Sequence, residues 1–430
     1  MNSLLLKDIK IGVKNKREYR LIKKLILNIN IITFLCFLGC LYSAVGLDLN
    51  NNRNWVGTWA CGPQIVEEYN LPPPPGLNGN TLRQAIHVSI GGNIMKLRIS
   101  NEFGTKPVTL DSIYATQYKK DGIIEPDTNT KVTFNKKSLI TINPGKIAWS
   151  DPFSFRLDPL TNIAISIYFI DVQGNITGHP GSRTTSYIVE GNKTSEEKLP
   201  SAVTTEHWYF ITGLDALTES PRSAIVALGD SLTDGRGSTT DKNDRWTDQL
   251  SNRLQKNKYT RNVAVLNLGI GGNAVLSGGL GPTAIERFDR DVLGQNGVKW
   301  VIIFEGVNDI GSCKSEDSLE LADKLINAYK LLIEKAHGQN LYVYGATITP
   351  FKGHGYYSYE HEQARLLVND WIRSSEKFDS VLDFDTVVRD PKDNSKLLNY
   401  FDSGDGLHLN PLGYKALADS IDLLLFYRKP

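Results

Sequence analysis

Gly229-Asp230-Ser231-Leu232 closes an apolar run, and a serine in that place could do nucleophilic chemistry. On the turn that leaves a strand its hydroxyl is exposed, and its own backbone N–H can face an incoming carbonyl oxygen. Taken alone, a serine after Gly-Asp is more often a turn or helix-capping residue than a nucleophile, so a base must come from elsewhere. Asp405-Gly406-Leu407-His408, close to the C-terminus, contains one. A carboxylate three residues before a histidine can accept the Nδ1 proton and leave Nε2 free to take a proton from Ser231. In isolation the same pair is a capped turn beside a surface histidine.

Two further segments carry donors for a developing oxyanion. Asn267-Leu268-Gly269-Ile270-Gly271-Gly272-Asn273 has glycines that let the backbone present an N–H, and Gly306-Val307-Asn308-Asp309 has an asparagine amide. Each by itself is ordinary turn chemistry.

The elements around these segments decide whether they can meet. From Arg222 onward, apolar runs over 224–228, 263–268, 300–304, 341–348 and 381–384 alternate with helical patterns. Continuous apolar runs suit a parallel sheet covered on both faces. Between the third and fourth runs, Leu319, Ala322, Leu325, Ile326, Tyr329, Leu332, Ile333 and Ala336 recur at helical spacing, with Gly338 as the stop. Asn410 and Pro411 mark the cap and first residue of a last helix, which leaves His408 in the preceding loop. These features predict a three-layer, doubly wound α/β domain over 221–430, whose ligands sit beyond the carboxyl ends of the strands. All four chemical segments fall at those ends or just before a helix.

The preceding half, 53–218, has a different texture. Short alternating runs are separated by Gly, Pro, Asn and Asp, as in Ile86, Val88 and Ile90 or Ile163, Ile165, Ile167 and Phe169. Period two with turn punctuation predicts an all-β domain of half-buried antiparallel strands, a sandwich or jelly roll.

Gly-Asp-Ser, a glycine turn, Gly-x-Asn-Asp and Asp-x-x-His, in this order and context, resemble the SGNH hydrolases, also called GDSL esterases and lipases. The resemblance runs over about 222–425 and implies Ser231 as nucleophile, His408 as base and Asp405 as its orienter. It implies Ser231, Gly272 and Asn308 as oxyanion donors, and no cofactor or metal. The runs Gly229-Asp230-Ser231-Leu232-Thr233-Asp234-Gly235-Arg236-Gly237, Glu305-Gly306-Val307-Asn308-Asp309 and Thr347-Ile348-Thr349-Pro350-Phe351 are similar to one branch, the xylanase-associated esterases of rumen bacteria. The expected reaction is hydrolysis of a carboxylic ester, with short acyl groups on plant polysaccharide as the leading substrate. A lipase or lysophospholipase with a longer acyl preference is one alternative, and a catalytically silent carbohydrate-binding protein is another.

Other residues are candidates of a weaker kind. His179, His354 and Tyr356 are candidate substrate contacts, Tyr356 together with Tyr357 and Tyr359 as a sugar platform. Asn175 and Asn192 begin Asn-x-Thr sequons. Cys61 and Cys313 are the cysteines outside the leader, and they are either bridged or two free thiols.

Overall charge is near balance, 48 basic against 47 acidic side chains, which argues against a nucleic-acid partner. Eight basic residues nevertheless fall in the first 24, followed by an uncharged stretch of 23, 25–47. That is the pattern of an export signal over 1–47, either cleaved near Ser43, Ala44 and Gly46 or retained as a single-pass anchor.

Overall fold

The computed structural model describes residues 55–218 and 222–427, all within the compact unit Asn52–Pro430. The leader over 1–47 lies outside the described residues.

The first half is all β. One sheet runs in the order Trp55–Ala60, Ile211–Leu217, Gly92–Asn101, Phe153–Leu157, and a larger one is built around Asn80–His87, Asn162–Asp171 and Val108–Lys120. Pairing is antiparallel, and apolar side chains of both sheets, among them Leu97, Ile99, Leu214, Leu82, Ile165 and Leu110, join one core. This is the sandwich that the alternating pattern predicts. Its strand Asn162–Asp171 departs from simple alternation, because Ala164 and Ser166 are as buried as the isoleucines between them. The buried Arg83 explains this: its Nε donates to Ser166 Oγ (2.9 Å), and its other nitrogens donate to Gly122 O (2.7 Å) and Glu196 O (2.6 Å). The chain around 194–197 thereby covers the face that period two leaves to solvent.

The second half holds a five-stranded parallel sheet in the spatial order Val263–Gly269, Ser223–Gly229, Val298–Phe304, Tyr342–Ala346, Ser380–Leu382. In chain order this is 2-1-3-4-5. The direction of winding reverses after the first strand, so right-handed crossovers put the intervening helices on opposite faces of the sheet. Helix Trp246–Lys256 follows the first strand and packs with Pro411–Ser420; helix Ser318–His337 follows the third and packs with Tyr359–Ser374. The strands depart from their expected bounds by one or two residues at an end, three of them for local reasons, and the fifth ends at Leu382 because Asp383 caps the helix Phe384–Val388. The third begins at Val298, with the exposed Lys299 at its second position, where an apolar-run criterion fails. The fourth ends at Ala346 rather than 348, because Ile348 N–H is taken by the Asn369 side chain (2.7 Å).

The two halves meet along the edge strand Val263–Gly269. Val265 N–H, unpaired on that edge, donates to Ser89 Oγ (3.2 Å), and Gly57 N–H donates to Asn296 O (3.0 Å). Val56, Ala60 and Ile90 of the β half are buried in the core of the α/β half. Covering an edge strand in this way satisfies its backbone groups and removes a site for non-native pairing.

Candidate active site

The first parallel strand leaves the sheet at Gly229 and turns at once into the short helix Ser231–Asp234. Asp230 caps that helix, its Oδ1 accepting from Leu232 N–H (2.9 Å). A β-carbon at Gly229 would stand 2.5 Å from Phe304 O and closer still to Thr233 Oγ1, so the turn tolerates glycine alone. Ser231 Oγ then lies 2.8 Å from His408 Nε2.

His408 is held from the other side. Its Nδ1–H donates to Asp405 Oδ2 (2.6 Å), and Asp405 Oδ1 accepts from the backbone N–H of His408 (2.8 Å) and of Leu407 (3.0 Å). Because Nδ1 carries the proton, Nε2 is left as the acceptor facing the serine. Burial lowers the His408 pKa below its ordinary value by disfavouring imidazolium, against the opposing pull of Asp405. Burial would raise the Asp405 carboxyl, but the bonds it accepts from His408 and Leu407 hold it at about 2. Near neutral pH the pair is a neutral imidazole beside a carboxylate.

The oxyanion candidates converge on the same place. Gly272 has φ +71°, a conformation that glycine adopts freely, and its N–H has no hydrogen-bond partner among the described residues. Asn308 Nδ2 gives one hydrogen to Asn273 O (2.8 Å), and Asn308 Oδ1 accepts from Tyr356 OH (3.1 Å), which fixes the amide and leaves its second hydrogen available. Asp309, which the sequence offers as a turn residue, ties these loops together. Its carboxylate accepts from Val275 N–H (2.8 Å) and Leu276 N–H (2.9 Å).

Beneath the serine lies a charged cluster for which the sequence gives no signal. Arg287 is fully buried and donates to Gly229 O (2.9 Å), Leu268 O (2.5 Å), Asn273 Oδ1 (2.9 Å) and Asp291 Oδ2 (3.0 Å). Glu305 stands 3.8 Å from it, and neither of its carboxyl oxygens has a hydrogen-bond partner among the described residues. Burial, with Asp230 nearby, pushes Glu305 well above the carboxylate range. Burial likewise raises Asp230 to about 7 and Asp309 to about 6.

Ser231, Gly272, Asn308, His354, Tyr356 and His408 all line one open cleft of about 370 Å³. His354 Nδ1 accepts from Tyr356 N–H (3.2 Å), so the two rings stand edge to face in one wall. Tyr357 and Tyr359 are not part of that wall, which reduces the tyrosine platform to Tyr356. The expectation for His179 is corrected. Its Nδ1–H donates to Gly62 O (2.9 Å), the Asp234 carboxylate faces Nε2 at 2.9 Å, and the ring stacks on Trp208. With both nitrogens engaged and the side chain buried, His179 joins the two halves of the molecule instead of touching substrate.

The bridge between Cys61 and Cys313 is not formed, and both thiols are free. Cys61 Sγ faces Ile211 O in the β half, whereas Cys313 Sγ faces Ile310 O and Ser318 at the end of a helix in the α/β half. Asn175 and Asn192 are exposed on the β half.

Sequence reasoning missed the opposite wall of the cleft. Gln64, Glu67, Asn70, Arg183 and His207 come from the β half, and Arg236 follows the short helix Ser231–Asp234. His207 Nδ1–H donates to Pro180 O (2.6 Å). The β half therefore supplies part of the wall of the cleft that holds Ser231 and His408.

Residues 227–416 match the GDSL-like Lipase/Acylhydrolase family. No curated protein matches the chain. Among solved structures it is similar to a G-D-S-L-family protein from Desulfitobacterium hafniense DCB-2, at 25% identity over 46% of this chain and 97% of that one, TM-score 0.36. It is also similar to the acetyl xylan esterase AlAXEase (23% identity, 46% and 96% covered, TM-score 0.37). A third similar structure is that of Axe2, an acetylxylan esterase from Geobacillus stearothermophilus (17% identity, 48% and 97% covered, TM-score 0.36). With the motif segments at the ends of a parallel sheet and the family match spanning them, the α/β half belongs to the GDSL-like lipase/acylhydrolase family of carboxylic-ester hydrolases.

Proposed function

We propose that the protein is an exported serine esterase that removes short acyl groups, acetyl foremost, from a polar alcohol such as a plant polysaccharide. The observation that carries the reading is the chain of contacts from Ser231 Oγ to His408 Nε2 (2.8 Å) and from His408 Nδ1 to Asp405 (2.6 Å). Ser231 Oγ attacks the ester carbonyl as its proton passes to His408 Nε2, and the N–H groups of Ser231 and Gly272 with Asn308 Nδ2 take the oxyanion. His408 returns the proton to the departing alcohol oxygen. A water then attacks the acyl-serine, losing its proton to His408, and the carboxylic acid leaves as Ser231 recovers its hydrogen.

The polar side chains of the cleft support a short acyl group on a hydrated alcohol. Long acyl chains call for an extended apolar groove, and Leu280 and Leu407 are the aliphatic side chains of this wall. Relationship to the xylanase-associated branch and export through the basic, apolar leader belong to the same reading. A fluorophosphonate is expected to label Ser231, and an activity panel is expected to favour acetyl over butyryl and long-chain esters and to include acetylated xylan. Labelling elsewhere would remove the mechanism, and long-chain preference would remove the polysaccharide substrate. N-terminal sequencing of exported protein tests the leader: an intact Met1 contradicts cleavage.

The pH profile follows from His408. The base works when neutral, and burial lowers its pKa, so the working form persists to more acidic pH than for a free histidine at about 6.5. A plot of kcat/KM for a neutral ester is expected to rise with pH to a plateau, with its midpoint below that value. A midpoint above 7 contradicts the assignment of His408 as base.

A further inference from the structure

Arg183 and Arg236 line the cleft that holds Ser231, and neither guanidinium has a hydrogen bond or ion pair with any described residue. The contrast is with the buried arginines Arg83, Arg245, Arg287 and Arg365, each of which donates to several protein acceptors. Arg183 Nε is buried without a partner. Arg183 as a whole is half-buried and Arg236 is exposed at the cleft, so both guanidinium groups keep donors free for a ligand.

Both positions are rigidly set. Arg183 adopts φ +49°, uncommon for a residue with a side chain, on a loop that Asp241 clamps. Asp241 N–H donates to Arg183 O (3.0 Å), and its carboxylate accepts from Thr185 N–H (2.7 Å) and Thr185 Oγ1 (2.6 Å). Arg236 N–H donates to Ser231 O (2.9 Å), and Arg236 O accepts from Tyr414 OH (2.5 Å), so its backbone is fixed to the nucleophile turn. Of the acids in the same wall, Glu67 accepts from Gln64 (2.5 Å) and Asn70 (3.0 Å), and Asp234 pairs through Oδ1 with His179 (2.9 Å); its Oδ2 is buried with no hydrogen-bond partner among the described residues and forms no ion pair with either arginine.

We infer that Arg183 and Arg236 form an anion subsite beside the nucleophile, so that the preferred ester carries a carboxylate, in its acyl group or on a uronate-type alcohol. This rests on the esterase reading and narrows its substrate. Planar guanidinium groups suit a carboxylate, and such charge-assisted bonds are stronger than neutral ones.

The test uses matched esters with the full exported chain: 4-nitrophenyl acetate against 4-nitrophenyl hydrogen succinate for the acyl arm, and methyl O-acetylglucoside against its O-acetylglucuronate counterpart for the alcohol arm. In one arm the acidic ester is expected to show a kcat/KM about tenfold above its neutral twin, the scale of one charged hydrogen bond. That ratio is expected to approach one in Arg183→Gln and Arg236→Gln, to invert in Arg236→Glu, and to shrink as salt is raised. A wild-type ratio of one in both arms, or an unchanged ratio in the double glutamine variant, overturns the subsite. Should no ester be hydrolysed, the esterase reading fails by itself. Calorimetric titration of the Ser231→Ala protein with glucuronate, succinate and glucose still decides the subsite: equal or absent binding of the anions overturns it.

Discussion

Replacing Ser231 by alanine is expected to lower kcat on an acetyl ester by about 10⁶-fold, with the fold and thermal stability preserved. Ser231 Oγ is the hydroxyl in hydrogen-bond contact with His408 Nε2, and the serine is almost completely buried at the head of its short helix. Losing one oxygen there removes the nucleophile and leaves His408 paired with Asp405 as before. His408→Ala is expected to cost about as much, because an unassisted hydroxyl is a poor nucleophile at neutral pH. The Ser231→Ala, His408→Ala double variant is then expected to be no slower than either single one, since residues that act as a unit are not additive. Losses that multiply in the double variant would mean that serine and histidine act independently. Wild-type turnover in Ser231→Ala would remove the nucleophile altogether. Circular dichroism and thermal unfolding on the same samples separate lost chemistry from lost structure.

The segments of the candidate site were legible because each is tied to a local structural signal. Asn410 and Pro411 do cap and open the last helix, which places His408 in the loop before it. Continuous apolar runs mark the five parallel strands, and the order of those strands brings Ser231, Gly272 and Asn308 to one edge of the sheet. What could not be read depends on partners far away in the chain. Asp309 looks like any acid in a turn until Val275 and Leu276 come to its carboxylate. His179 sits among Gly178, Pro180 and Gly181, as a loop histidine would, yet its strand Thr177–His179 pairs with residues 64–65 and 208–209 and buries it. Arg183 and His207 look like solvated loop residues, and they become cleft walls only because the β half covers the edge of the parallel sheet. Parity raised the question of a bridge for Cys61 and Cys313, but parity carries no distance, and the two thiols face different carbonyls in different halves.

Arg287→Met is expected to destabilise the protein by about 3–5 kcal/mol, the scale for breaking one partner out of a buried ionic network. The substitution keeps an apolar stem and removes the guanidinium. Gly229 O, Leu268 O and Asn273 Oδ1 then lose a donor in a place that water does not reach, while Asp291 keeps Arg290 at 2.6 Å. The loss is expected to grow with pH. Burial raises the folded-state pKa of Asp230 and Glu305, and Arg287 opposes that rise. Stability from such acids is complete below the unfolded value near 4 and is lost as pH climbs through the folded value, about 7 for Asp230. Removing the cation raises both folded values further, so the penalty at pH 8 should exceed that at pH 5. Burial would also raise Asp291, and Arg290 with Arg287 holds it low; weakening that hold changes stability in the same direction. Chemical denaturation at the two pH values measures this difference, and a constant penalty would contradict the role given to the cluster. Arg287 also ties the end of the first strand, two residues before Ser231, to the loop that carries Gly272 and Asn273. Its loss should therefore lower kcat while changing KM little, well below the unfolding temperature. Lost stability with unchanged kcat would make Arg287 a structural residue that positions neither the nucleophile nor the oxyanion loop.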